Sequence, residues 1–65
     1  MEVSERDSEV LRGIAAGKTN KQIAAEMDVS EQTVKWHVSK LLRRYEVSGR
    51  AALAAAYVRG AKGRG

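Results

Sequence analysis

The sequence predicts an all-α fold of four helices. Its 65 residues contain no proline, phenylalanine or cysteine but ten alanines. This composition favours helices over strands, and it excludes a disulfide scaffold and a cysteine-ligated zinc site. Apolar residues recur at the three- and four-residue intervals of helices, and polar residues suited to capping precede the recurring segments. A chain of this length forms one small domain, with little mass left for an enzyme cleft.

The first two helices are defined by their ends. We predict the first over residues 5–16, because Ser4 can cap its first amides and Gly17 can end it. Thr19 and Gln22 form a capping-box pattern before a second helix of about two turns. The apolar face of the first helix consists of Val10, Leu11 and Ile14. That of the second consists of Ile23, Ala24 and Met27.

A longer third helix is predicted over residues 31–44, after turn-forming residues at 28–30. Its apolar face consists of Val34, Val38, Leu41, Leu42 and Tyr45. Ser48 can cap a fourth helix over residues 49–59, which Gly60 is expected to end. The polar, glycine-containing segment 61–65 is predicted to be a flexible basic tail, so the folded domain spans residues 1–60.

The second and third helices have the spacing of a helix-turn-helix. Two helices that meet around a turn of three or four residues need apolar contacts and one small residue at the crossing, here Ala24. Asp28 holds a turn position where glycine is common, and aspartate tolerates the left-handed conformation. The expected apolar positions are Ile23, Met27, Val29 and Val34. In this motif the second helix enters the major groove of double-stranded DNA, which makes helix 3 the expected recognition helix.

The charge distribution also points to a polyanionic partner. Residues 1–31 carry seven acids and four bases, whereas residues 32–65 carry eight bases and a single acid. A concentrated basic half favours nucleic acid or an anionic membrane as the partner, and a merely solvated charged surface is the alternative. No apolar run is long enough to span a membrane, and the acidic N-terminus does not resemble a signal peptide. We therefore expect a cytoplasmic protein.

The polar side of the third helix is the expected DNA-reading face. Lys35 lies near the N-terminal end, where its ammonium can donate to guanine. Trp36 can pack on a thymine methyl group or a sugar; alternatively, its indole folds back over the second helix. Ser39 lies on the same strip. The predicted base contacts are Lys35, Trp36 and Ser39.

Short donors and long cations at the groove rims are suited to phosphate contacts. The predicted phosphate contacts are Asn20, Lys21, Ser30, Thr33, Lys40 and Arg43. Ser30 and Thr33 can also cap helices, and the two roles are compatible. His37 is expected to be packed and hydrogen-bonded rather than to act as a pH switch, and it has no second histidine or cysteine with which to share a metal. No catalytic constellation is recognisable, so we expect neither an enzyme nor a cofactor.

Two segments carry a family resemblance. They read GKTNKQIA at residues 17–24 and VSEQTVKWHV at residues 29–38. Both are similar to the LuxR-type helix-turn-helix domain, the output domain of NarL/FixJ-type response regulators and quorum-sensing activators, and the similarity extends from about Val3 to Gly60. The resemblance implies base contacts at the three reading positions and an ordinary family histidine at His37. The sequence departs from the pattern at Asp7, in a pair that usually contains glutamate, and at Tyr45, where leucine is typical.

The fourth helix is apolar almost all round, although an edge helix in so small a domain can bury only one side. We expect Leu53, Ala54 and Tyr57 to face inward. The other side is smooth enough for close helix packing and consists of Ala52, Ala55, Ala56 and Arg59. The resemblance points to this helix as a homodimer contact on DNA half-sites; the alternative is that the alanines only supply helix propensity.

The resemblance further implies an N-terminal receiver or sensor domain outside this chain, and it makes RNA polymerase a candidate partner. Two rival interpretations remain open. One is the region of a bacterial sigma factor that reads the −35 promoter element with a similar motif. The other is a basic helical module that binds acidic proteins or membrane surfaces.

Overall fold

The fold is all-α, as predicted. The structure, a computed structural model, describes the backbone of residues 4–64 and the side chains of residues 4–60. It contains four helices and, over the described residues, no strand. The helices are α1 (Glu5–Ala15), α2 (Asn20–Met27), α3 (Glu31–Tyr45) and α4 (Arg50–Arg64).

The predicted capping residues start the first three helices. Each cap oxygen accepts a hydrogen bond from the backbone N–H three residues later, and the caps are Ser4, Thr19 and Ser30. The side-chain oxygen of Gln22 in turn accepts a hydrogen bond from the backbone N–H of Thr19, which completes the predicted capping box. At α4 the carbonyl of Gly49 accepts the first helical bond from Leu53. Gly49 therefore occupies the cap position that the sequence assigned to Ser48.

The same closing geometry ends these three helices. A left-handed residue follows each helix, with φ of 80° at Gly17, 59° at Asp28 and 58° at Glu46. After each one, the next amide bonds back to the carbonyl five residues earlier, at distances of 3.0 Å. Because this pattern satisfies carbonyls that the helix leaves unpaired, it stabilises the stop. Asp28 confirms the prediction for the turn, whereas the sequence analysis did not anticipate Glu46.

The fourth helix does not end at Gly60. It continues through residues 61–64, so the predicted end at residue 59 is wrong. A glycine inside a helix costs only about 1 kcal/mol relative to alanine, which does not stop a helix unless closing bonds like those at Gly17 also form. The side chains of residues 61–64 and the whole of Gly65 lie outside the described part of the chain, where the predicted flexible tail remains a prediction.

All four helices contribute to one core. The helix α1 packs most extensively on α4, and α2 packs most extensively on α3. The buried apolar residues are Val10, Leu11, Ile14, Ile23, Ala24, Val34, Leu41 and Leu53. Each of them lies on a face that its sequence periodicity predicted to point inward. The partly buried side chains that pack against this core include Met27, Val29, Val38, Leu42, Tyr45, Ala54 and Tyr57.

The helix-turn-helix geometry follows from this packing. Residues 28–30 form the complete connection between α2 and α3. Ala24 and Val34 are buried on opposite sides of the junction, and Val29 packs partly beneath the turn. The predicted small residue therefore does lie where α2 meets its neighbours, and α3 presents its other side outward.

At Gly13 the backbone of α1 lies close to a side chain of α2. A Cβ atom added at Gly13 would lie 2.6 Å from Cγ1 of Ile23, which is itself buried. We expect Gly13→Ala to lower the free energy of unfolding by about 1–3 kcal/mol, because a β-branched core side chain cannot move away without strain. Urea unfolding followed by circular dichroism measures this change.

Gly60→Ala is the matched control, because Gly60 is also helical but has open space around its added Cβ. It should raise the free energy of unfolding by up to about 1 kcal/mol, the helix-propensity difference between the two residues. Equal effects of the two substitutions would contradict the close approach at Gly13.

Candidate nucleic-acid interface

The outward side of α3 carries the predicted reading residues. Lys35, Trp36 and Ser39 are all exposed, whereas Val34 and Leu41 on the opposite side are buried. We call the three exposed residues the reading strip. Gln32 and Arg43 are exposed along the same helix. The structure thus brings the predicted base-contacting side chains together on one solvent-facing surface.

Trp36 is exposed to an unusual degree for its size. Its exposed fraction is 60%, so the alternative in which the indole folds back over the second helix is wrong. The His37 ring approaches it edge-on, with centroids 5.1 Å apart and planes inclined by 71°. The ammonium of Lys40 lies 4.8 Å from the indole centroid, within cation–π distance. Trp36 is therefore contacted on two sides and open elsewhere.

A shallow groove runs beside the indole. Its volume is about 210 Å³, and its lining consists of Trp36, Ser39, Lys40 and Arg43. One wall is aromatic and the others carry a hydroxyl and two cations. Such a lining can accept a small apolar group against the ring while the cations face a polyanion.

Asp7 of α1 is the buried polar centre of the site. Its side chain is 4% exposed, and each carboxylate oxygen has its own partner on α3. Oδ1 lies 2.8 Å from Nδ1 of His37, and Oδ2 lies 3.2 Å from Nζ of Lys40. The histidine is itself 12% exposed. This confirms the expectation that His37 is packed and hydrogen-bonded.

The partners of Asp7 control its ionisation. Burial alone raises the pKa of the Asp7 carboxyl, but hydrogen bonds from the side chains of His37, Lys40 and Ser4, together with the charge of Lys40, outweigh burial. The pKa therefore lies below its ordinary value of 3.8. Asp7 is a carboxylate at neutral pH and holds a negative charge directly beneath a basic face.

Three of the six predicted phosphate-contacting residues lie at helix starts and have hydrogen-bond partners within the chain. Ser30 caps α3, and its Oγ lies 2.9 Å from Oγ1 of Thr33. The carbonyl oxygen of the Asn20 side chain accepts a 2.6 Å hydrogen bond from Arg50. Lys21 and Arg43 are exposed. Ser30 thus has the capping role that the sequence analysis allowed, whereas Thr33 lies within the first turn of α3 and does not cap it.

Arg50 joins the start of α4 to the start of α2. One guanidinium nitrogen donates to Asn20, and the other donates to the backbone carbonyl of Lys18 at 2.6 Å. A fork of two bonds fixes both the position and the orientation of the group. The sequence analysis gave Arg50 no such role, because its two partners lie 30 and 32 residues away along the chain.

The outer face of α4 is largely open. Ala52, Ala55 and Arg59 are exposed, and Ala56 is half-buried. Leu53 is fully buried, and Ala54 and Tyr57 pack against the core, as predicted. Val58 is 42% exposed on the same helix. The predicted dimer face is thus accessible, with Ala56 at its inner margin.

Among the residues that the structure describes, no helix combines the length and the apolar character needed to cross a membrane. Nor does any group of three or more histidine, cysteine, aspartate or glutamate side chains among them form a candidate metal site.

Asp7→Asn should destabilise the domain by about 1–3 kcal/mol near neutral pH, because hydrogen bonds to a charged group contribute about that much. The lowered pKa of Asp7 means that its contribution is complete above the ordinary aspartate value and is lost as the pH falls through the folded value. The stability gap between wild type and Asp7→Asn should therefore close below about pH 4. Urea unfolding over a pH series measures the gap.

Asp28→Asn is the matched control, because Asp28 is exposed and asparagine also adopts its left-handed conformation. This variant should follow the wild-type stability closely near neutral pH. An Asp7→Asn gap that stayed constant down to the lowest pH would show that the carboxylate charge is not what stabilises the fold.

Comparison with known proteins identifies the family. The sequence model of the luxR family of bacterial regulatory proteins matches residues 1–57. The chain is 50% identical over 50 residues to a nitrate/nitrite response regulator homologue of Haemophilus influenzae, which covers 77% of this chain and 24% of that protein. Nitrate/nitrite response regulator NarP of Escherichia coli is 48% identical over 50 residues, covering 77% and 23% of the two chains.

A third relative, the transcriptional regulatory protein LiaR of Bacillus subtilis, is 42% identical over 48 residues, covering 74% of this chain and 23% of that protein. The chain thus spans about a quarter of the length of the curated relatives it matches. The family match confirms the resemblance seen in the two motif segments, and it supports a non-enzymatic role in DNA-binding regulation. The chain belongs to the luxR family of bacterial regulatory proteins.

Proposed function

We propose that the chain is the DNA-binding output domain of a cytoplasmic transcriptional regulator of the response-regulator type. In this proposal α3 enters the major groove, and Lys35, Trp36 and Ser39 contact base edges. The observation that carries the proposal is the exposure of the reading strip, because a tryptophan that is 60% exposed on a polar helix face presents apolar surface that a partner would cover.

The dimensions of α3 support this placement. The major groove of B-DNA is about 12 Å wide and admits one α-helix, whose diameter is about 10–12 Å. A helix of 15 residues is about 22 Å long, roughly twice the groove width, so it can supply contacts both to base edges and to a groove rim. Lys35 lies in its first half, where recognition helices reach base edges, and Arg43 lies in its second half near the groove rim.

Phosphate contacts would then come from both α2 and α3. Lys21 and Arg43 supply exposed cations, and Asn20, Ser30 and Thr33 supply short polar groups at the starts of α2 and α3. Helix starts also present unpaired backbone amides and the positive end of the helix dipole to a phosphate. Such contacts fix the register of the domain on DNA without reading its sequence.

The names of the relatives support the wider setting. Those compared above are called response regulators or a transcriptional regulatory protein, and each is about four times as long as the matched segment. We infer that a receiver or sensor domain controls when this domain acts, and that RNA polymerase is the downstream partner. We further infer that two copies pair on a two-fold or direct-repeat promoter site.

The open face of α4 supports the pairing. Ala52 and Ala55 have methyl side chains and are exposed, so a second helix can approach closely at their position. A single module buries only about 600–1,000 Å² on DNA, so pairing on adjacent half-sites raises both affinity and specificity.

The division between reading and positioning contacts can be tested with duplexes that the chain itself selects from a random pool. Lys35→Ala should lower affinity for the selected duplex by about 1–3 kcal/mol while changing affinity for a scrambled duplex much less. Lys21→Ala should weaken both duplexes alike and reduce the slope of log K against log salt by about 1. Fluorescence anisotropy at several salt concentrations measures both effects.

A salt-independent affinity, or equal losses on selected and scrambled duplexes after Lys35→Ala, would contradict the proposal. Vesicles of anionic lipid are the control polyanion, because the basic half of the chain attracts any negative surface. Binding to such vesicles as tight as to selected DNA would favour the membrane-surface interpretation.

The pairing through α4 is tested separately. Ala55→Glu should lower two-copy occupancy of a double-site duplex, because paired helices would place two like charges against each other, and should leave single-site binding and helical content unchanged. Gel-shift stoichiometry and circular dichroism measure these quantities.

Ala25→Glu adds the same charge at an exposed position of α2 and should leave the ratio of two-copy to one-copy complexes unchanged. Loss of helical content in Ala55→Glu would mean that this side of α4 faces the core. An unchanged ratio of complexes in Ala55→Glu would place the dimer contact elsewhere.

A further inference from the structure

We propose that Asp7, which lies on α1 outside the reading strip, positions Trp36 to read a thymine methyl group, acting through Lys40 and His37. The inference rests on the proposed function and deepens it. Trp36 recognises one defined feature of a base, and the buried carboxylate of Asp7 holds the indole in position before DNA binds.

The geometry links Asp7 to both flanks of the indole. His37 and Lys40 are the two α3 partners of Asp7, with one carboxylate oxygen for each. The same two residues are the ones that contact the Trp36 ring, His37 at its edge and Lys40 over it. Asp7 is therefore linked to the indole along two separate paths, each through one intervening residue.

The ion pair between Asp7 and Lys40 is more rigid than a surface ion pair, because Asp7 is buried. The ammonium of Lys40 is the end of a flexible side chain that is 40% exposed, and alone it would sample many rotamers. Asp7 is 4% exposed and is held on α1 by the core, so its Oδ2 restricts where the ammonium can lie. A cation fixed at one place over the ring limits the orientations of the indole before any partner arrives, which lowers the entropy lost on binding.

The surface beside the indole selects the kind of group it contacts. An indole offers a single N–H donor and otherwise apolar surface. In the major groove the thymine C5-methyl is the apolar feature that distinguishes an A·T pair. The groove of about 210 Å³ that Trp36, Ser39, Lys40 and Arg43 line has room for such a methyl group against the ring.

This role also reassigns Lys40. Sequence reasoning placed Lys40 among the phosphate contacts, but its ammonium lies 3.2 Å from Oδ2 of Asp7 and over the Trp36 ring. A cation used in this way neutralises a buried carboxylate rather than a phosphate. Its loss should therefore change which bases are read rather than how many counterions DNA releases.

The binding test uses a duplex selected from a random pool by the wild-type chain, with each thymine replaced in turn by deoxyuridine. This replacement removes only the methyl group. For the wild type, one position should lose about fourfold in affinity, the factor that corresponds to one buried methyl group. Trp36→Ala identifies that position, because it should abolish the difference between the two bases there and only there.

Two substitutions then test the positioning role at that position. Asp7→Asn and Lys40→Met should each reduce the fourfold preference for thymine to nearly none. Lys40→Met alters a side chain that is 40% exposed and keeps the apolar stem, so it tests the linkage in a protein whose core is intact. Asp7→Glu retains a carboxylate and should retain the preference.

Trp36 fluorescence gives an independent readout without DNA. The chain contains one tryptophan, so selective excitation of indole reports on Trp36 alone. Asp7→Asn and Lys40→Met should each increase quenching by acrylamide, because the Lys40 ammonium that lies over the ring is released in the first variant and absent from the second; Asp7→Glu should not increase it. Circular dichroism confirms that each variant is folded under the conditions used.

Other results would overturn the inference. If Lys40→Met weakens thymine and deoxyuridine duplexes equally and lowers the salt slope by about 1, Lys40 is a phosphate contact. If folded Asp7→Asn leaves both the thymine preference and the quenching unchanged, Asp7 has only a structural role. If the wild-type chain selects no duplex, the proposed function fails, and unchanged quenching would then reject the positioning of Trp36 separately.

Discussion

The tight junction between α2 and α3 is the constraint on which the rest of the structure depends. Only residues 28–30 connect the two helices, and Asp28 adopts a left-handed conformation to make the turn. The angle between the helices is then fixed by a buried alanine on α2 and by the packing of Val29 under the turn. A different angle between α2 and α3 would change the direction in which the reading strip faces. The orientation of the surface that carries the reading strip is therefore set by a few backbone and methyl contacts.

The acidic and basic residues have separate positions and separate roles. Most acids precede residue 32, and the basic residues dominate after it. Asp7 belongs to the acidic half of the sequence, but in the fold it is buried beneath the basic surface of α3. Its pKa lies below the ordinary value, so Asp7 carries a negative charge at neutral pH. That one charge orients two residues of α3 in addition to stabilising the contact between helices.

The sequence allowed most of the fold to be predicted, because its signals are local. Caps at Ser4 and Thr19 and the apolar period of α3 involve residues within one or two turns of each other. They placed α1 and α3 to within one residue at each end, and they predicted the start and the two-turn length of α2. The end of α4 was mispredicted because a lone glycine resembles a stop signal whether or not closing hydrogen bonds form. The exposure of the reading strip followed from the same helical period.

The links between helices could not be predicted from the sequence. Asp7 and Arg50 each reach partners about 30 residues away, and no local pattern records which side chains the folded helices bring together. The phosphate assignment of Lys40 illustrates the difficulty, because a lysine on a basic helix has the same sequence signature whether its ammonium faces DNA or a buried carboxylate. Only the packing of α1 against α3 separates these cases.

The exposure of the reading strip also bears on how the domain can change over evolution. Lys35 and Ser39 are exposed, so replacing either one alters the chemistry of α3 with little effect on the core. Trp36 differs, because its two ring neighbours are the partners of a buried carboxylate. A smaller residue at 36 would leave Lys40 and His37 without one of their contacts. Positions 7, 36, 37 and 40 should therefore vary together among relatives, whereas 35 and 39 can drift independently and supply new specificities first.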